Sequence, residues 1–347
     1  MSPRVTPPFR ADHAGSLRRP AELISARERF RAGEITAEDL RLAEDQATAE
    51  VVALQEEIGL ALATDGEFRR TTQLADFAQQ FDGITEDAAA DPGMRVDGKV
   101  GLPRTIFAEE FTALADRANT ATPKLTIPAP GMLAQIDRSA VDADAYPDLS
   151  AFRADVAAAF ARQVRGLSDL GCHYLQLDDT SFAALDEPAA PAAEAVRERR
   201  QLVDAVNTAL SDLPATTTAT LRLARGHRGP WITEGGHDAT AEALFTGLAV
   251  DGFHLEVPDP AAADFSALRF VPRDRTVVLG LVDPSNAELE SGDALKRQVD
   301  AASRHVDLEQ LCLAPQRGFG SGEDALTEEQ QRAKLRLVVE TAREIWG

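Results

Sequence analysis

The sequence predicts an α/β fold: a single (β/α)8 barrel of the TIM type, with an N-terminal helical extension and an inserted hairpin or lid. Three observations carry that expectation. From about residue 124 onward, short apolar runs alternate with longer Ala/Leu/Glu/Arg-rich segments. Each short run is four to seven buried-type residues closed by a polar or Gly/Pro tip. The runs are nearly continuous in their apolar character, as expected of parallel strands covered on both faces. An open doubly wound sheet is the competing arrangement. No GxGxxG follows the first strand and no Walker loop occurs anywhere, so a nucleotide-binding sheet has no local support.

The elements follow in order. A strand is expected near residues 4–10, then a long helix with a polar start over 30–59. "LALATDGE" (60–67) reads as a strand ending in acids. The Gly/Asp-rich stretch 81–104 reads as a hairpin or lid inserted within a single domain spanning 1–347. Strands are then expected at 123–130, 172–180, 218–226, 251–259, 275–283 and 308–318. Between them, 150–171 places Phe152, Val156, Phe160, Val164 and Leu167 on one helical stripe, with Gly171 as the stop. Residues 186–200 form a Pro/Ala linker into the next helix, and 238–248 and 292–306 are further helices. The last helix, 326–346, opens with a Thr327/Gln330 capping box.

The 347 residues carry a net charge of −21, with a pI near 4.7. That balance disfavours a nucleic-acid groove or an anionic membrane surface as partner. Cys172 and Cys312 both sit in apolar runs and read as buried free thiols. The N-terminal stretch has no apolar signal region, and no run approaches the roughly 18 apolar residues of a membrane span. The expectation is a cytoplasmic protein with a small-molecule partner. Oligomeric state is left open, a homodimer included.

In such a barrel the strand tips converge on one face, where the chemistry of these folds is placed. The tips here carry Asp12, His13 and Ser16; Asp65, Glu67 and Arg69; Asp178 and Asp179; Arg222, Arg225 and His227; His254, Glu256 and Asp259; Asp283; and Gln316 and Arg317. Single aspartates at strand ends commonly cap the next helix, a role that suits Asp179. Arg69 and Arg70 read as surface residues or partners of Glu67. Glu256 stands apart. Alternation in "FHLEVP" sends His254 and Glu256 to the face opposite Phe253 and Leu255. A charged group on a buried strand must be paired or bound.

The tip motifs "FRADHAGSLRRP", "TDGEFRR", "YLQLDDTS", "WITEGGHD", "FHLEVPD" and "LCLAPQRGFGS" resemble the cobalamin-independent methionine synthase superfamily, in its short single-barrel form, from about residue 8 to the C-terminus. The resemblance implies a methyltransferase barrel that moves a methyl group from 5-methyltetrahydrofolate to the thiol of homocysteine, which a zinc ion activates. It places Ser16, Glu67 and Asp178 where the family holds the amino-acid substrate, with the two carboxylates on its ammonium group. It also implies a zinc set that this sequence does not repeat. Arg222 and Ala224 stand where the family has a His-x-Cys pair, and Arg317 where it has a cysteine; only the glutamate, Glu256, is kept. Arginine cannot lose its proton to become a ligand. Zinc is therefore not expected, and no tightly bound cofactor is. Methyltetrahydrofolate is retained as a candidate co-substrate.

Two guanidinium forks suit a carboxylate, phosphate or sulfonate; alternatively they pair with Glu256 in a filled ion triad. A relocated metal site of His227, His254 and Glu256 is a further alternative. The candidate catalytic residues are Glu256, His227 and Asp178. The candidate substrate-binding residues are Ser16, Glu67, Asp178, Arg222, Arg317, His13 and His254. Three functions compete: a zinc-free methyl or one-carbon transferase, a metal-free lyase or isomerase of a small amino acid or carboxylate, and a non-catalytic ligand-binding relative.

Overall fold

The computed structural model describes residues 7–87, 93–184, 192–224, 238–320 and 326–347. Helices α1 (Ala21–Arg31) and α2 (Ala37–Ile58) precede the first short strand, β1 (Leu62–Ala63). Then come α3 (Ala75–Ala78), β2 (Asp82–Glu86), β3 (Met94–Gly101), α4 (Ala108–Ala115), β4 (Thr122–Pro128), α5 (Pro130–Ala134) and α6 (Leu149–Asp169). The alternation continues through β5 (Tyr174–Asp179), α7 (Ser181–Ala184), α8 (Ala192–Leu210), β6 (Thr218–Leu223), α9 (Asp238–Gly247) and β7 (Gly252–Glu256). It ends with β8 (Thr276–Val282), α10 (Gly292–Ala302), β9 (Leu311–Pro315) and α11 (Glu328–Trp346).

Strands β1, β4, β5, β6, β7, β8 and β9 pair in that order, all parallel, in one curled seven-stranded sheet. The eighth position is taken by Ala11, which bridges Leu313 of β9 in parallel. The chain then crosses to the other edge. Thr64 donates to the Gly15 carbonyl at 2.7 Å, and the Leu17 amide to the Gly66 carbonyl at 3.1 Å. This is the α/β barrel the alternation predicts, with two corrections at its start. The first strand position lies at Ala11 and not within 4–10, of which residues 1–6 fall outside the described set. The long helix expected over 30–59 is α2, which begins only at Ala37; residues 30–31 close α1. Thr36 and Asp39 form a capping box that starts α2 afresh, after Gly33 turns the chain with φ +74°.

The outward-facing strand residues and the helical stripes form one large apolar core. It contains all five residues of the α6 stripe: Phe152, Val156, Phe160, Val164 and Leu167. Phe77, Phe81, Phe107 and Phe160 meet with ring centroids 5.3–5.6 Å apart, fastening α3 and the start of α4 to α6. Strands β2 and β3 form an antiparallel pair. It is pinned to the chain leading into α6: the Asp142 amide donates to the Val96 carbonyl at 2.8 Å, and the Val100 amide to the Tyr146 hydroxyl at 2.7 Å. Cys172 and Cys312 are both buried and outside any disulfide, and burial pushes the Cys172 thiol up to about 12. Among the described residues, no helix is long and apolar enough to cross a membrane.

The inward face differs from the branched-aliphatic filling usual in such barrels. Asp12, Lys124, Thr126, Gln176, Thr220 and His254 are all buried there. Alternation explains the choice. Leu125 and Ile127 join the apolar core while Lys124 and Thr126, one residue away on each side, turn inward.

Candidate functional site at the barrel mouth

Register brings the charged tips together. Asp178 on β5 pairs with Arg222 on β6, and Arg222 with His254 on β7. Glu256, two residues further along β7, opposes Gly280. A side chain at Gly280 would lie within 2.8 Å of the Gln316 Cα, so glycine lets the β9 tip fold in close beside it. Arg317 follows directly. One Glu256 oxygen lies 3.6 Å from Arg222 Nη2 and the other 3.8 Å from Arg317 Nη1. These separations exceed hydrogen-bond range. The carboxylate thus holds both guanidiniums by Coulomb attraction, short of a fork-on-fork bond. Glu256 is buried and Arg222 partly buried, whereas the Arg317 side chain is 46% exposed and reachable from solvent. These three groups sum to one positive charge.

On the other side, the acids lie closer to protein donors. Glu67 accepts from the Thr126 hydroxyl at 2.6 Å and lies 3.5 Å from Arg70. Its backbone is left-handed, with φ +60°. Asp65 steadies that turn by accepting from the Glu67 amide at 2.9 Å. Burial raises the Glu67 carboxyl above the usual range; Arg70 opposes this and the nearby Asp178 adds to it. Asp178 accepts from Gln176 at 2.7 Å and from the Gln73 side-chain amide. Gly15 lets the backbone pass this group. A Cβ there would meet Thr126 at 2.5 Å and Glu67 at 3.1 Å. Ser16, partly buried, backs onto Gly318: a Cβ at Gly318 would lie 1.7 Å from the Ser16 hydroxyl oxygen. Ser16 therefore braces the loop that presents Arg317.

Beneath the mouth lies a buried ion pair. Lys124 Nζ donates to Asp12 and to the His13 carbonyl, each at 2.7 Å. Burial alone would raise the Asp12 carboxyl, but Lys124, His254 and His13 together hold it below the usual range. His254 Nε2 meets the Pro315 carbonyl at 3.3 Å. Burial, reinforced by Lys124, depresses His254 to about 3 and His13 to about 4. Both imidazoles are therefore neutral at physiological pH.

The sequence placed His13 and His254 among the substrate contacts. The structure puts both in this buried layer, one step below Glu256. His227, expected as an acid/base residue, lies outside the described residues, as does Arg225. Asp179 caps as expected: it accepts from the Ser181 amide at 2.6 Å, and burial raises its carboxyl to about 6 against those bonds. Asp259 and Asp283 also cap local turns. The reading of Arg69 and Arg70 as surface groups or Glu67 partners divides. Arg69 turns away to Asp45 at 2.6 Å. Arg70 is buried, pairs with Glu67, and stacks its guanidinium 4.3 Å above the Phe107 ring. Sequence reasoning missed Lys124 and Gln73. A lysine alternating with apolar residues inside a strand was the available signal for the first. Among the described residues, no three His, Cys, Asp or Glu side chains gather as a metal-holding group.

Comparison with known proteins agrees with this geometry. Residues 11–219 match the family model described as cobalamin-independent synthase, catalytic domain. The uncharacterized protein YxjG of Bacillus subtilis is 42% identical, over 99% of this chain and 96% of its own. The methionine synthase of Pyrococcus abyssi is 23% identical over 88% of this chain and 84% of its own. Among solved structures, the putative vitamin-B12-independent methionine synthase from Listeria monocytogenes is 34% identical. It superposes with a TM-score of 0.81, covering 98% of both chains. The B12-independent methionine synthase from Shewanella sp. W3-18-1, at 16% identity and TM-score 0.74, shares the fold over 97% of both chains. With strand tips, barrel and family match in agreement, this chain belongs to the cobalamin-independent methionine synthase superfamily.

Proposed function

We propose that this protein is a zinc-independent member of that superfamily, acting on a small substrate that carries an amino group, an acid group or both. The observation that carries the reading is the position of Arg222 and Arg317 on either side of Glu256. Guanidinium groups cannot ligate a metal, because they do not give up their protons in a protein. They also repel a cation brought to the one carboxylate between them. The donor set at these tips therefore does not fit zinc, and a thiol would not be activated here by coordination.

The same groups suit an anion. Glu256 offsets one guanidinium charge and leaves the other for a ligand. An incoming carboxylate can take the fork bonds that Glu256, at 3.6 and 3.8 Å, does not close. Across the mouth, Glu67 and Asp178 suit an ammonium group. Methyl or one-carbon transfer from methyltetrahydrofolate is the family chemistry compatible with this site, provided the acceptor needs no metal. Glu256, Asp178 and His227 are the proposed acid/base groups. Ser16 is proposed to contact the ligand near Arg317. A small-molecule partner and a cytoplasmic location belong to the same reading.

Calorimetric titration of the full chain with L-methionine, L-homocysteine, small dicarboxylates and 5-methyltetrahydrofolate tests it. Binding of an amino or carboxylate ligand that survives chelator treatment and is lost in Arg222→Gln is the expected result. Binding that requires added zinc would refute the proposal.

A further inference from the structure

Asp178 has both oxygens engaged by side-chain amides. Gln176 is a fixed neighbour, two residues back on the same strand and fully buried. Gln73 is different. It comes from the stretch between the β1 tip and α3, is only partly buried, and follows the exposed Thr71 and Thr72. The stretch is tied down locally, through Asp76, which accepts from the amides of Thr71 and Thr72. The Gln73 carboxamide therefore reaches Asp178 from a surface loop.

We infer that Gln73 is an internal competitor for the ligand's amino group: its amide stands on Asp178 in the place of a ligand ammonium and must be displaced by it. This rests on the reading that Glu67 and Asp178 grip an ammonium group. The amide is a poor match for what surrounds it. Glu67 and Asp178 are close enough for the charge of Asp178 to disfavour ionisation of Glu67. A neutral carboxamide gives one oxygen a hydrogen bond but brings no charge to relieve that repulsion. An ammonium brings three donors and a positive charge, and its bonds to carboxylates are roughly twice as strong as neutral ones. A ligand with a protonated amine more than recovers the bond it displaces. A ligand with an acylated amine offers one neutral N–H in exchange, and a ligand with no amine recovers nothing. The Gln73 bond is displaced by all of them alike, so Gln73 weakens binding without itself choosing between heads.

The test is titration calorimetry on the full chain, with L-methionine and N-acetyl-L-methionine as probes. The variants are Gln73→Ala, Gln73→Met and Asp178→Asn. Gln73→Met keeps the side-chain length without the donor, so it separates loss of the bond from loss of bulk. Removing one neutral competitor should tighten L-methionine binding about two- to tenfold in both Gln73 variants. The gap between the two probes should stay about the same, because both displace the same amide, and Asp178→Asn should abolish L-methionine binding. Binding in the Gln73 variants but not in the wild type also supports the inference. If Asp178→Asn loses binding while both Gln73 variants bind as the wild type or more weakly, the inference fails and the ammonium reading stands. If Asp178→Asn binds L-methionine as the wild type does, or no form of the protein binds it, the ammonium reading fails and takes this inference with it.

Discussion

Asp12 and Lys124 are buried together, 0–1% exposed, and set the charge state of the layer under the mouth. Removing one partner of such a pair strands the other charge. Lys124→Met is expected to cost about 3–5 kcal/mol of stability in urea unfolding, with the Asp12→Asn/Lys124→Met double variant recovering part of it. The histidines beside the pair give a pH prediction. Their folded pKa values, about 3 for His254 and about 4 for His13, lie below the usual 6.5. Neutral His13 and His254 thus stabilise the fold fully above pH 6.5, and that contribution is lost as pH falls towards 4 and then 3. Asp179 runs the other way. Raised to about 6, it contributes at low pH and loses that contribution as pH rises through 6. A His13→Gln/His254→Gln variant should show a shallower fall in melting temperature between pH 7 and 5 than the wild type. An unchanged slope would contradict the assignment. At this scale the sequence was partly legible. Glu256 announced itself because a carboxylate on a buried strand needs partners, and both arginines are there. Lys124 obeys the same logic but lies near the start of its strand, where a charge passes for a solvated end. Gln73 gave no local signal, since a loop glutamine acquires meaning only through Asp178, 105 residues away.

Individual elements were legible where pattern and capping agree. The Thr327/Gln330 capping box of α11 is present in full, and Thr327→Ala should lower stability by about 1 kcal/mol. The Thr36/Asp39 box of α2 was equally available, yet the polar start of 30–59 reads as part of the helix and passes over the break at Gly33. The hairpin β2–β3 was visible as an interruption of the βα alternation. Its docking through Tyr146 was not, because that contact joins segments 46 residues apart. The loop after β9 is the element most sensitive to size. Gly318→Ala drives a Cβ into the Ser16 hydroxyl. It should cost about 1–3 kcal/mol by overpacking and displace Arg317. Chemical denaturation reads the first effect. A second-site Ser16→Gly change, which clears the space, should restore most of the loss.

For the whole molecule, the barrel gathers tips from strands far apart in sequence into one mouth, which is why a list of tip residues pointed to a site before any contact was known. What the sequence could not supply was depth. His254 alternates inward like Glu256, yet it sits below that carboxylate, buried with His13 in a layer where burial and Lys124 keep both imidazoles neutral. The central claim concerns the level above: Arg222 and Arg317 flank the carboxylate where the family resemblance implies a zinc ion. Metal content of the full-length protein, purified without chelator after growth in zinc-supplemented medium and measured by plasma mass spectrometry, tests it most directly. Zinc far below one equivalent per chain, in protein that still binds its ligand, is the predicted result; one zinc per chain, lost together with binding on chelation, would contradict it.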